Sequence, residues 1–145
     1  MDITLRPVRN EDKEFCRRVH HTALRDVVIR QFGQWDDTLQ DNYFEKSWSS
    51  LSLEIIEVDS QATGTFSREI HPDYFAIAQI YLLPQFQKQG IGTRLLIEQL
   101  DKAQSLGLPV RLNVLLENRA RKLYERLGFK VTGKTDIFYQ MEKTN

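Results

Sequence analysis

Gln87-Lys88-Gln89-Gly90-Ile91-Gly92-Thr93 lies between an apolar run and an amphipathic helical pattern. A turn of this kind entering a helix aims several backbone N–H groups, with the positive end of the helix dipole, at one point. That is an anion site suited to a phosphate or pyrophosphate. Gly90 and Gly92 let the backbone approach a ligand closely and take angles that a side chain forbids. Other chemistry-bearing residues are sparse. Cys16 has no matching His/Asp arrangement and reads as a small core residue rather than a nucleophile. His20 and His21 are adjacent on a predicted helix, where neighbours point about 100° apart, so no chelating pair is expected. With His71 far along the chain, no metal-ligand spacing exists and no metal is expected.

These groups need a sheet flanked by helices to position them. Residues 3–8 alternate and read as a strand ended by Pro7. Asn10 or Asp12 can cap a helix with Phe15, Val19 and Ala23 on one face, running towards Ile29 and broken at Gly33. A second helix starts near Asp36 or Asp37 and presents Leu39, Tyr43 and Phe44. Residues 51–58 read as a strand, 59–64 as a turn, 65–69 as a strand and 71–73 as a turn. Residues 74–83 form an apolar strand of the kind covered on both faces. The glycine turn leads into a helix with Ile91, Leu95, Leu96, Leu100 and Ala103 along one stripe, ended by Gly107 and Pro109. A strand at 110–115 precedes a helix capped by Asn118, with Ala120, Leu123, Tyr124 and Leu127 as its apolar face and Gly128 as its stop. Two closing strands follow at 130–135 and 137–142. The pattern predicts one mixed α/β sheet in a single domain over 1–145.

The bulk numbers agree. The chain has 145 residues, enough for one domain with a core, and 41% hydrophobic and 28% charged residues place it in the globular range. With 20 basic and 20 acidic residues, net charge gives no support to a nucleic-acid partner, and Arg119, Arg121, Lys122 and Arg126 read as a solvated helix face. No apolar run approaches a membrane span, and Met1-Asp2-Ile3-Thr4 does not read as a signal peptide. One cysteine cannot form an internal disulfide, which points to a reducing compartment, most simply the cytoplasm.

Three phosphate-binding patterns compete at the loop. A P-loop needs Gly-Lys-Ser/Thr, but Gly92 is followed by Thr93-Arg94. A dinucleotide fingerprint needs a third small residue where this chain has Leu95. The pyrophosphate loop of acyl-CoA enzymes, Arg/Gln-x-x-Gly-x-Gly/Ala, is matched by Gln87, Gly90 and Gly92. Ile80-Tyr81-Leu82-Leu83-Pro84 precedes it. Asn118-Arg119-Ala120, Tyr124 and Gly128-Phe129 follow one strand later. From about 76 to 129 the chain resembles the GCN5-related N-acetyltransferase (GNAT) family, and upstream the resemblance is one of element order.

The resemblance implies a mostly antiparallel sheet with about four helices. Its two central parallel strands splay apart, the first of them bulged, and the pantetheine arm of acetyl-CoA lies in that gap and pairs with Ile80, Tyr81 and Leu82 of the bulged strand. The pyrophosphate would sit on the amides of Gln87, Lys88, Gln89, Gly90, Ile91, Gly92 and Thr93, with Lys88 and Arg94 adding charge. Asn118 has two compatible roles, helix cap and hydrogen-bond donor to the cofactor arm. Tyr124 either only packs or, as in the family, protonates the departing thiolate; a phenol with a pKa of about 10 is a competent acid at neutral pH. A backbone N–H near Leu82 would polarise the thioester carbonyl for direct attack by an amine. Where some members carry a glutamate base, this chain has Gln79, which can hold a water but cannot ionise. Glu54, Glu57 and Asp73 remain unranked as bases.

In the family the acceptor pocket is shaped by the first two helices and their joining loop. Trp35, Asp36 and Gln40 lie there among further aromatics and aspartates, a surface suited to a small cationic amine. The plainer reading has Asp36 and Asp37 capping the helix, with Trp35, Leu39 and Tyr43 as its apolar face. The expected partner is a small-molecule amine or a protein amino group, and a homodimer is compatible with the family. A non-catalytic acyl-CoA-binding regulatory or interaction module of the same fold is the alternative.

Overall fold

The structure, a computed structural model, describes residues 1–145. Its elements are β1 (Ile3–Pro7), α1 (Lys13–Phe32), α2 (Asp37–Ser50), β2 (Leu53–Val58), β3 (Gln61–Ile70), β4 (Phe75–Leu82), α3 (Ile91–Ser105), β5 (Val110–Leu115), α4 (Ala120–Arg126), β6 (Lys130–Lys134) and β7 (Phe138–Lys143). Short 3-10 turns span Asn10–Asp12 and Pro84–Phe86. The strands form one sheet in the order β1-β2-β3-β4-β5-β7-β6. β4 and β5 run parallel, Phe75 opposite Val110 and Ala76 opposite Arg111. The pairs β1–β2, β2–β3, β5–β7 and β6–β7 are antiparallel. This is the mixed, mostly antiparallel sheet with four helices that the resemblance implies.

The chain divides into two compact units, Met1–Ser67 with Gln79–Ile91, and Arg68–Ala78 with Gly92–Asn145. In the first, Cys16, Phe44 and Ile55 form a buried cluster with Val8, Phe15, Trp48 and Ala62 packed against it. In the second, Phe75, Leu95, Leu96, Ala103, Val110, Leu112, Phe129 and Met141 are buried.

Helix ends follow the sequence closely. Gly33 closes α1 in the left-handed region at φ 83°, and Gly107 sits at φ 71° beyond α3. Asp36 caps α2 by accepting from the Leu39 N–H at 3.0 Å. Asp12 precedes α1 but does not cap it. Its carboxylate accepts from Arg6 Nη1 at 2.8 Å and Nη2 at 3.1 Å, and from the Arg9 N–H at 2.7 Å. The Arg6 hydrogen bonds hold its pKa down to about 2.

Several helix faces are rotated from expectation. α1 buries Cys16, Val19, His20, Val27 and Val28, and Ile29 is exposed. α2 buries Gln40 and Phe44, while Leu39 and Tyr43 face solvent. In α3, Gln99 rather than Leu100 takes the buried slot, and its side-chain oxygen accepts from Arg68.

The expected turn at 59–64 is shorter. Val58 pairs with Gln61, so Asp59 and Ser60 alone make the hairpin loop, both left-handed at φ 51° and 70°. Two such residues match the twist of a tight antiparallel hairpin. β3 therefore starts at Gln61, and a bulge between Ile56 and Glu57 skips Thr63, whose hydroxyl donates to the Ile56 carbonyl at 3.0 Å.

Candidate functional site

In the first unit, β4 ends in Gln79, which is buried, and Ile80, Tyr81 and Leu82, which are half-buried. Gly64 of β3 lies against this end. A Cβ at Gly64 would stand 2.0 Å from the Tyr81 carbonyl oxygen and 3.0 Å from the Leu82 Cα. Only glycine allows that approach. A glycine inside the Thr63-Gly64-Thr65 strand pattern was the available signal. The Leu83 N–H donates to the Thr63 carbonyl at 2.9 Å.

Beyond β4, the Gln87 side-chain amide donates to the Leu82 carbonyl at 2.9 Å, and the Gln89 amide to the Gln85 carbonyl at 2.9 Å. Gln87, Lys88, Gln89 and Gly90 are exposed. Lys88 and Gly90 are left-handed, at φ 63° and 84°. A turn of this kind directly ahead of a helix lets successive N–H groups converge on an anion. A Cβ at Gly90 would meet no atom within 4 Å, so the glycine serves the backbone angle rather than close packing. Ile91 is buried at the helix start, while Gly92 and Thr93 are half-buried and Arg94 is exposed.

The first two helices carry a second polar group. Nδ1 of His20 and Nδ1 of His21 lie 3.0 Å apart, and His21 Nε2 is 2.7 Å from Asp41 Oδ1. The two residues were expected to point apart, but their ring centres lie 5.1 Å from each other, at 58° between planes, which brings the two Nδ1 atoms together. Arg17 Nη2 reaches the same Asp41 oxygen at 2.7 Å. His20 is 7% exposed, and burial, aided by His21, lowers its pKa to about 4. Its ring lies 5.9 Å from Phe44 and 6.3 Å, edge-on, from Tyr81. Cys16, 2% exposed, has its thiol pushed by burial to about 12, which leaves it inert.

Trp35, Asp36 and Gln40 have partners or cover within the protein. The Trp35 Nε1–H donates to Asp37 at 2.8 Å, and its ring centre lies 5.6 Å from the Arg25 guanidinium and 5.3 Å, edge-on, from the His21 ring. Asp36 is the α2 cap, and Gln40 is buried.

In the second unit, Asn118 caps α4, its Oδ1 accepting from the Ala120 N–H at 2.9 Å. That bond fixes the amide orientation and turns the Nδ2 donors away from the cap. Tyr124 is 8% exposed and packs edge-on to Phe129 at 5.9 Å. No group of three or more His, Cys, Asp or Glu side chains could hold a metal, and no helix is long and apolar enough to cross a membrane.

The chain thus combines a parallel β4–β5 pair, a left-handed glycine turn after β4 and an Asn-capped helix bearing a buried tyrosine. The model of the acetyltransferase (GNAT) domain matches residues 50–131, and the chain belongs to that family. Among solved structures, it is similar to PaiA N-acetyltransferase from Thermoplasma acidophilum in complex with coenzyme A. The identity is 21% over 100% of both chains, with a TM-score of 0.80. PH1933 from Pyrococcus horikoshii is 23% identical over 99% of both chains, TM-score 0.75. Arabidopsis thaliana Naa50 in complex with the bisubstrate analogue CoA-Ac-MVNAL is 17% identical over 100% of both chains, TM-score 0.67. At these identities the likeness is one of fold. No curated protein sequence matches the chain.

Proposed function

We propose that the chain, acting as one domain over 1–145, is an acetyl-CoA-dependent N-acetyltransferase that passes an acetyl group to a primary amine by direct attack. The observation that carries this reading is the Gln87–Gly90 turn. It is exposed, left-handed at Gly90 and set immediately before α3 in a chain of the GNAT family. Its amides and the helix dipole bind the pyrophosphate, with Lys88 and Arg94 adding charge. Ile80, Tyr81 and Leu82 offer their backbone to the pantetheine arm, and Asn118 offers Nδ2. The Leu82 N–H polarises the thioester carbonyl. Tyr124 protonates the leaving thiolate, and Gln79 positions a water. We assign a small cationic amine as acceptor, on the aspartates and aromatic rings of the α1–α2 region around Trp35, Asp36 and Gln40. We place the enzyme in the cytoplasm on its single, buried cysteine.

The experiment is thiol release from acetyl-CoA against a panel of polyamines, amino acids and peptides, with mass detection of the product. Release with one acceptor class and a product heavier by one acetyl group is expected. Tight coenzyme A binding with no release from any acceptor overturns the enzymatic reading in favour of a binding module.

A further inference from the structure

The hydrogen-bond pattern around His20 fixes where its protons sit. Asp41 is a carboxylate that the hydrogen bond from His21, and then Arg17, hold below its ordinary pKa, so it only accepts. The nitrogen facing it, His21 Nε2, must then carry a hydrogen. Neutral His21 has a bare Nδ1. The 3.0 Å contact between the two Nδ1 atoms needs one hydrogen, and His20 must supply it. Neutral His20 therefore keeps its Nε2 as a lone pair.

The groups around this pair favour one direction of proton flow. The inner ring, His20, faces Phe44 of α2 and Tyr81 of β4. Burial raises Tyr81 to about 12, so it adds no charge there. The outer ring, His21, lies beside Asp41, Arg17 and the Trp35 ring, and it borders an open surface depression of about 400 Å³ on α1. A proton accepted at the inner end is stabilised only at the outer end, where the carboxylate is. Glu57, a candidate base from sequence, is ion-paired to Arg6 at 3.3 Å.

We propose that His20, His21 and Asp41 form the relay that deprotonates the acceptor amine, with His20 Nε2 as the general base and His21 and Asp41 as positioning residues. This rests on the acetyltransferase reading above, in which the backbone of Tyr81 pairs with the pantetheine arm. The acceptor arrives as an ammonium ion. His20 Nε2 takes one proton while the hydrogen on His20 Nδ1 shifts to His21 Nδ1, so that the charge rests on the His21 imidazolium beside Asp41. After the thiol leaves, the Nδ1 hydrogen returns to His20 and His20 Nε2 gives its proton to water, which restores the starting tautomers. The freed nitrogen lone pair forms the C–N bond as the C–S bond breaks. The nitrogen's second proton ends on the thiol sulfur. One proton thus reaches solvent per acetyl transferred.

The test combines kinetics with spectroscopy on the full chain. His20→Asn retains a donor near the Nδ1 position but has no base. It is expected to bind coenzyme A normally and to lose about 10²-fold or more in kcat, the usual worth of a positioned base. Asp41→Asn retains an acceptor for His21 but not the charge, and the acid limb of its pH–rate profile moves to lower pH. In long-range proton–nitrogen spectra of the wild-type protein near neutral pH, His20 is expected as the Nδ1–H tautomer and His21 as the Nε2–H tautomer. A folded His20→Asn enzyme with wild-type kcat and pH profile overturns the relay and leaves the acetyltransferase reading intact. The Nε2–H tautomer at His20 also overturns it, with or without a foldable variant. A wild-type chain that binds coenzyme A and acetylates no amine overturns both.

Discussion

The side-chain amide of Gln87 donates to the backbone carbonyl of Leu82 at 2.9 Å, joining the first residue of the loop motif to the last residue of β4. The motif position therefore has a role inside the protein. It satisfies a carbonyl at the strand end and sets the angle at which the chain enters the turn.

Gln87→Ala removes that bond, and the loop loses its fixed departure from β4. Coenzyme A affinity is expected to fall about 5–10-fold, in line with one neutral hydrogen bond of about 1 kcal/mol. Gln87→Arg, which can donate to the same carbonyl, is expected to stay within about twofold of wild type. Isothermal titration with coenzyme A checks both.

Two glycines give opposite expectations for the same substitution. Gly90→Ala meets no neighbour but must hold φ near 84°, which costs about 1–2 kcal/mol of backbone strain. It should weaken coenzyme A binding more than it lowers the melting temperature. Gly64→Ala drives a Cβ into the Tyr81 carbonyl and must part β3 from β4. It should destabilise the fold by about 1–3 kcal/mol or more. Melting curves and coenzyme A titrations on the two variants separate strain from collision.

Tyr124→Phe preserves the ring that packs on Phe129 and removes only the hydroxyl. Turnover is expected to drop about 10²-fold, with coenzyme A affinity nearly unchanged. Steady-state kinetics at saturating acceptor measure it, and an unaltered kcat removes Tyr124 from the mechanism.

His20 also predicts a pH dependence of stability. Its folded pKa of about 4 lies below the ordinary value of 6.5, so below about pH 6.5 the unfolded chain binds a proton that the folded chain refuses. Its contribution is whole above that pH and is lost as pH falls towards 4, on the order of 2 kcal/mol. Urea midpoints at about pH 7 and pH 5 should differ more in the wild type than in His20→Asn.

Much of this was legible in the residues. The stripe of Ile91, Leu95, Leu96 and Ala103 marked the buried face of α3, and Gly33 and Gly107 marked helix ends, because helical period and left-handed caps are local properties. The α2 face was not legible. Leu39 and Tyr43 are apolar yet exposed, while Gln40 is buried, so tertiary contacts overrode side-chain type. The β2–β3 turn was misplaced because Asp59 and Ser60 adopt left-handed angles without glycine. Gln87 stood out as a motif residue, but its bond to Leu82 joins parts that composition does not connect. The His20–His21 contact was hidden for a different reason. The angular spacing of Cβ atoms says nothing about where two tilted rings end.

The burial of Cys16 has a practical consequence. The chain's only sulfhydryl is shielded and almost fully protonated, so a chromogenic disulfide reagent added to native protein reacts slowly with it. Colour developing in a turnover assay then reports liberated coenzyme directly, without an enzyme-derived background.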